Sequence, residues 1–590
     1  MSESFRRAFL APTLIRIAAV SLCSFGFVAC TPEAGQYDTT QQSREQAISN
    51  KPLTDITPAD SAAQSATSPL VSPAPTPAEP LALLSKRETT GTTSRAADSL
   101  APLRPAAEPL DRERYAALET NPVQRVSEAP VSTFSIDVDT GAYTNIRRIL
   151  REGRLPPTDA VRIEEMINYF RYDYPVPSSR RTPFQVTTEL GPSPWNPNTR
   201  LLLVGLQGYR ADTAELPPAN LVFLLDVSGS MRAPDKLPLL QSALRLLTAQ
   251  LRPQDRVSIV VYAGASGLVL EPTSRRDAIL SALNQLSAGG STNGGAGIQL
   301  AYQVAEQAFI PNGINRVLLA TDGDFNVGTV NFETLKDMVA AKRKSGIALS
   351  TLGFGRGNYN DQLMEQLADV GNGNYAYIDS LQEARKTLVE ELGSTLLTIA
   401  KDVKIQLEFN PALVEEYRLI GYENRILQRE DFNNDSVDAG EIGAGHSVTA
   451  LYEIALRGSG GSWNDPLRYQ PATTAVEPAG KAQELAFLRL RYKMPDSDRS
   501  DLLEYPVTQT MLQTSLDTTS QRFRFASAVA AFGQYLRGGR YLNGMELEAV
   551  RSLAANARGD DDNGYRSELL QLIDLAADLS ASAAPPQITN

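Results

Sequence analysis

Leu221-Val222-Phe223-Leu224-Leu225-Asp226-Val227-Ser228-Gly229-Ser230 sets five consecutive apolar residues directly before Asp, Ser, Gly and Ser. A run that short and that apolar reads as a strand buried on both faces. Beyond it Leu237, Leu240, Leu244, Leu247 and Leu251 recur at spacings of three and four, which marks one face of a helix. Further strands are expected over 257–262, 316–321 and 347–352, with helical periodicity over 332–344 between the last two. Strands alternating with amphipathic helices predict an α/β unit with a doubly wound, mostly parallel, Rossmann-like sheet.

In such folds ligands gather outside the carboxyl ends of the strands, and the polar residues of this stretch sit there. Asp226 to Ser230 follow the first strand, Gly289-Gly290-Ser291-Thr292-Asn293-Gly294 opens a helix, and Thr321-Asp322-Gly323 closes a later strand. Together the three loops offer the carboxylates of Asp226 and Asp322 and the hydroxyls of Ser228, Ser230 and Thr292. Hard oxygen donors without imidazole or thiolate select Mg2+, with Mn2+ or Ca2+ as alternatives. Two close carboxylates in a crevice also repel unless a cation lies between them. Taken alone, D-x-S-x-S reads equally as a helix N-cap.

The order D-x-S-x-S, then a distant Thr, then Asp resembles the metal-ion-dependent adhesion site (MIDAS) of a von Willebrand factor type A domain. The resemblance implies that Ser228 and Ser230 ligate the metal through their hydroxyls, and that Thr292, Asp226 and Asp322 ligate directly or through water. It also implies one open coordination position, filled by an acidic side chain of a protein partner.

The flanks extend the resemblance over residues 121–580. Ser132-Thr133-Phe134-Ser135-Ile136-Asp137-Val138-Asp139-Thr140-Gly141-Ala142-Tyr143 is similar to the N-terminal module of a bacterial von Willebrand A lipoprotein family. Gly421-Tyr422-Glu423-Asn424-Arg425 and the stretch 438–446 are similar to its C-terminal module. Alternation predicts strands over 184–190, 201–206, 403–409, 448–456 and 485–492. The economical arrangement is one β-sandwich built from both flanks, with the von Willebrand domain inserted and three amphipathic C-terminal helices over 523–536, 547–557 and 565–579 packed on it. The expected organisation is therefore an N-terminal flanking module over 121–215, the von Willebrand domain over 216–395, a β-rich module over 396–515 and a helical segment over 516–580.

Both cysteines, Cys23 and Cys30, fall in the first thirty residues, so no disulfide framework exists. Arg6, Arg7 and Arg16 precede an apolar run over 17–29 with the length of a signal-peptide core. Phe27-Val28-Ala29-Cys30 resembles a bacterial lipobox, although Phe27 departs from the usual Leu. That resemblance implies a signal peptide over 1–29 and a lipid on Cys30; the alternatives are an ordinary signal sequence or a short membrane anchor. Arg6-Arg7-Ala8-Phe9-Leu10 also resembles a twin-arginine export motif. Residues 30–110, rich in Ser, Thr, Ala, Gln and Pro, read as a disordered linker. The expected location is the cell envelope, with Thr31 after the cysteine pointing to the outer membrane in a Gram-negative cell.

With 590 residues, roughly three folded units are expected. A net charge of -12 argues against a nucleic-acid surface, and a single histidine, His446, excludes H-E-x-x-H hydrolase motifs. Asp137 and Asp139 offer a second cation site, although a strand ending in a polar turn explains them as well. The acidic run 430–435 lacks the spacing of a calcium loop and reads as a solvated hairpin, Arg558-Gly559-Asp560 as a loop between helices, and His446 as a structural side chain. The leading expectation is a lipid-anchored, non-enzymatic binding protein whose metal clasps a partner's carboxylate. A scaffold of an envelope complex and a metal-dependent hydrolase are the alternatives.

Overall fold

A computed structural model describes residues 113–583, apart from 213, 215, 324–331, 358, 466–467 and 469–480. The leader, Cys30 and the linker over 30–110 lie outside the described residues. Within the described part, the central sheet runs in the order Tyr375–Ile378, Ala348–Phe354, Ile314–Thr321, Ala219–Asp226, Arg256–Tyr262 and Ser266–Thr273. All neighbours are parallel except the last, an antiparallel edge strand that the sequence reading did not anticipate.

Every residue of Ala219–Asp226 and of Ile314–Thr321 is buried. Because side chains alternate across a strand, Leu221, Phe223 and Leu225 enter one core with Leu240, Leu244 and Leu247 of the helix Leu237–Gln250. Val222 and Leu224 enter the other core, with Ile298 and Tyr302 of the helix Gly294–Gln307 and Leu335 and Val339 of Phe332–Lys344. The doubly wound arrangement follows from that two-sided burial.

Both flanks join in one sandwich, as expected. One antiparallel sheet has the order Gln124–Arg125, Val414–Ile420, Ser447–Leu456, Thr199–Gly208 and Phe184–Pro192. The other runs Gly440–Gly443, Thr398–Phe409, Glu484–Lys493 and Ser500–Thr508, with Val131–Ser135 also paired to Thr398–Phe409. Leu202, Val204 and Leu206 of the first sheet meet Ile405, Leu407, Leu488 and Leu490 of the second. The alternate residues Leu201 and Leu203 face outward and are covered by Phe523, Val529 and Phe532 of the C-terminal helix Gln521–Leu536. The central domain leaves this sandwich after Thr199–Gly208 and returns at Thr398–Phe409.

Three arginines, two of them buried and one partly buried, bind the central domain to its surroundings. Arg147, on the helix Gly141–Arg151, donates to Asp379, Glu383 (2.9 Å), Glu568 (2.9 Å) and the Tyr169 hydroxyl (3.0 Å). Arg162 pairs with Glu165 and Asp361, and Arg425 pairs with both oxygens of Asp369 at 2.9 and 3.0 Å. The acidic run corrects one expectation: Arg429–Asn433 forms a short 3-10 helix, not a hairpin, because Phe432 is drawn into the interior.

Candidate metal-binding site

The loops carrying the five oxygen-bearing residues are tied together by backbone bonds. Val227 N–H donates to the Tyr262 carbonyl (3.0 Å), Gly289 N–H to the Val227 carbonyl (2.8 Å) and Gly229 N–H to the Gly290 carbonyl (3.0 Å). Thr292 stands two residues beyond Gly290 and is half-buried at the start of the helix Gly294–Gln307. Parallel pairing of Ala219–Asp226 with Ile314–Thr321 brings Asp322 to the same edge.

Asp226 and Asp322 are both fully buried. Oδ1 of Asp226 accepts the Ser228 N–H (2.9 Å), while Oδ2 accepts the hydroxyls of Thr321 (2.9 Å) and Tyr262 (3.4 Å). Burial, with the Asp322 charge adding to it, holds the Asp226 carboxyl above the usual carboxylate range. The Ser228 and Ser230 hydroxyls lie 2.9 Å apart. Neither Ser228 nor Asn293 makes a side-chain cap bond at the helix it precedes. The capping alternative therefore does not account for these hydroxyls.

Lys236 completes the cluster, and no spacing rule pointed to it. Its Nζ donates to Asp322 Oδ2 at 2.7 Å, with both side chains buried. The lysine stem crosses Gly355, whose φ is +72° and where an added Cβ would come within 2.3 Å of the stem. Glycine is required there for the ammonium to reach Asp322. The Lys236 ammonium thus competes for one of the two carboxylates, while the donor set itself, carboxylates and hydroxyls, has the hard-oxygen chemistry that fits a Mg2+-class ion. Thr321 and Tyr262 were also missed by sequence reasoning; their signal is position alone, since each occupies the last residue of a strand adjoining Asp226.

The family model of the von Willebrand factor type A domain matches residues 221–324, from the first central strand through Asp322. A von Willebrand factor model matches 109–203, and a model of the C-terminal part of the uncharacterised protein YfbK matches 394–579. Over 471 residues the chain is 49% identical to the uncharacterised protein YfbK of Escherichia coli (strain K12), covering 78% of this chain and 81% of that one. The chain belongs to the YfbK family. A UPF0353 protein of Mycobacterium avium is 28% identical over 205 residues, which is 30% of this chain and 61% of the relative. Among solved structures, the von Willebrand factor type A protein of Catenulispora acidiphila is 16% identical with a TM-score of 0.38, covering 66% of this chain and 89% of that one.

The remaining polar candidates have local explanations in this YfbK-family fold. Asp137 Oδ1 accepts the Asp139 N–H (2.9 Å), Asp139 Oδ1 accepts the Tyr375 N–H (2.8 Å), and Arg425 lies 3.3 Å from Asp137. These carboxylates are an ionic junction between flank and central domain. The His446 carbonyl accepts the Gly208 N–H (2.7 Å), and burial lowers its imidazole to about 4, which keeps it neutral. Arg558-Gly559-Asp560 lies between the helices Leu547–Asn556 and Tyr565–Ala583.

Proposed function

We propose that the protein is a lipid-anchored envelope protein that holds a partner protein through a divalent cation at Asp226, Ser228, Ser230, Thr292 and Asp322. Von Willebrand factor type A domains typically mediate protein–protein interaction, and the loop arrangement supports the cation-dependent form of that activity. The observation that carries the reading is the donor set: two fully buried carboxylates share one strand edge with two serine hydroxyls 2.9 Å apart. Like charges buried together repel, and a divalent cation between them offsets that repulsion. A bound Mg2+, Mn2+ or Ca2+ supplies a hard coordination position for an acidic side chain of the partner. Within the chain, Asp226 is oriented by Thr321 and Tyr262, and the backbone bonds at Gly229 and Gly289 hold the serine and threonine loops together. The role is binding, without turnover.

The lipid is assigned to Cys30, in the Phe27-Val28-Ala29-Cys30 sequence, and places the folded part on a tether at the membrane, the outer one in a Gram-negative cell. Recovery of a partner from envelope extract tests the central claim. Wild type is expected to retain it in Mg2+ and release it in EDTA, and Asp226→Ala to retain nothing in either. Equal recovery under all conditions overturns the reading. Cys30→Ser is expected to move the protein from the membrane fraction to the soluble fraction.

A further inference from the structure

At the end of the central sheet remote from Asp322, the flanks and the von Willebrand domain enclose a cavity of about 250 Å³. Arg316, in its wall, precedes Asp322 by six residues of extended chain, so the two sites are roughly 20 Å apart. Most charges lining the cavity are satisfied. Arg425 gathers Asp137, Asp139 and Asp369, and Arg343 pairs with Asp438.

Two titratable side chains of the wall keep a buried atom without a hydrogen-bond partner. Arg316 is 3% exposed; one nitrogen donates to the Ser350 hydroxyl at 2.6 Å, and its buried Nε has no partner. Glu441, on the strand Gly440–Gly443, has a buried Oε1 that is likewise without a partner. Neither residue comes within ion-pair distance of a partner among the described residues, although Glu441 acts on Arg316, and Arg343 on Glu441, at longer range. Buried ions are ordinarily paired. Burial lowers the Arg316 guanidinium only to about 10, which leaves it charged at neutral pH, and burial pushes the Glu441 carboxyl well above its ordinary range, so an ammonium seated there would favour its ionised form.

We propose that this cavity binds a small zwitterion bearing one carboxylate and one ammonium group, of the class of free amino acids, with the carboxylate on Arg316 and the ammonium on Glu441. A simple anion would satisfy Arg316 but meet a wall in which carboxylates outnumber guanidiniums. A simple cation would satisfy Glu441 and leave Arg316 alone. A zwitterion answers both ends. The competing occupant is water, for which the volume holds roughly eight molecules at about 30 Å³ each.

Isothermal titration of the full chain with glycine, L-alanine and γ-aminobutyrate tests the assignment. At least one is expected to bind saturably, one molecule per chain, with the same affinity in Mg2+ and in EDTA. Acetate and glycinamide, each lacking one of the two charges, are expected to bind at least tenfold more weakly. Arg316→Gln and Glu441→Gln are each expected to weaken binding tenfold or more. The analogue series needs no variant, so the test stands even where Arg316→Gln does not fold. The proposal is overturned if none of the three zwitterions binds saturably, if acetate binds as tightly as glycine, or if Glu441→Gln binds like wild type.

Discussion

Replacing Lys236 by Met isolates the charge argument at the candidate metal site. In wild type the Lys236 ammonium lies 2.7 Å from an Asp322 carboxylate that is itself fully buried. Removing one partner of a buried ion pair costs about 3–5 kcal/mol, because the other charge is left uncompensated. In chelator, Lys236→Met is therefore expected to lose about that much stability. The same substitution helps a metal. A cation that draws on Asp322 must weaken a charge-assisted hydrogen bond worth about 1.5–3 kcal/mol, so its removal is expected to tighten Mg2+ binding about ten- to hundredfold. At a hundredfold excess over Kd, Mg2+ returns about 2.7 kcal/mol. The double variant Lys236→Met with Asp322→Asn removes both charges and is expected to recover most of the lost stability while showing no response to Mg2+. Denaturation should be followed by far-UV circular dichroism. The two tryptophans, Trp195 and Trp463, both lie outside the central domain, and their fluorescence would not report on it. Wild-type stability of Lys236→Met in chelator, or the same Mg2+ midpoint in both proteins, refutes the reasoning.

Three further outcomes follow from the same structure. Arg147→Met strands the buried Glu383 and takes a partner from Asp379 and from Glu568, which keeps Arg151, and is expected to destabilise the fold by about 3–5 kcal/mol; an unchanged urea midpoint contradicts this. Gly323→Ala puts a side chain at φ +83° and a Cβ within 2.4 Å of the Asn360 nitrogen, so it is expected to cost more than the roughly 1–2 kcal/mol of left-handed backbone strain and to weaken Mg2+ binding by displacing Asp322. His446 is depressed from 6.5 to about 4 by burial, so the unfolded chain takes up a proton before the folded one does. Its contribution is complete above pH 6.5 and falls as pH drops toward 4, by up to ~3 kcal/mol. His446→Gln is expected to remove that component of the stability profile, leaving the part set by buried carboxyls such as Glu365, and an unaltered slope counts against the assignment.

Much of the architecture is written in local pattern. The apolar run 221–225 alternates between two cores because a strand has period two, and the leucines from 237 to 251 share a face because a helix has period 3.6. That Asp226 and Asp322 share an edge is legible for a related reason: parallel strands of similar length end at the same edge, so residues at and just beyond their ends lie near one another wherever they fall in sequence. The edge strand Ser266–Thr273 escaped notice because half-buried positions give neither continuous apolarity nor clean alternation.

Ionic partners are a different matter. Arg147 meets Glu568 across 421 positions and Arg162 meets Asp361 across 199, at single residues with no period to betray them. Nothing in the local pattern around Lys236, Arg316 or Glu441 marks a partner for any of them. The amino-acid sequence by itself determined which segments bury which faces and which oxygen donors follow which strands, since both depend on regular backbone geometry. Only the tertiary structure decided which cation answers which carboxylate, because that choice depends on which loops meet and how much water they exclude.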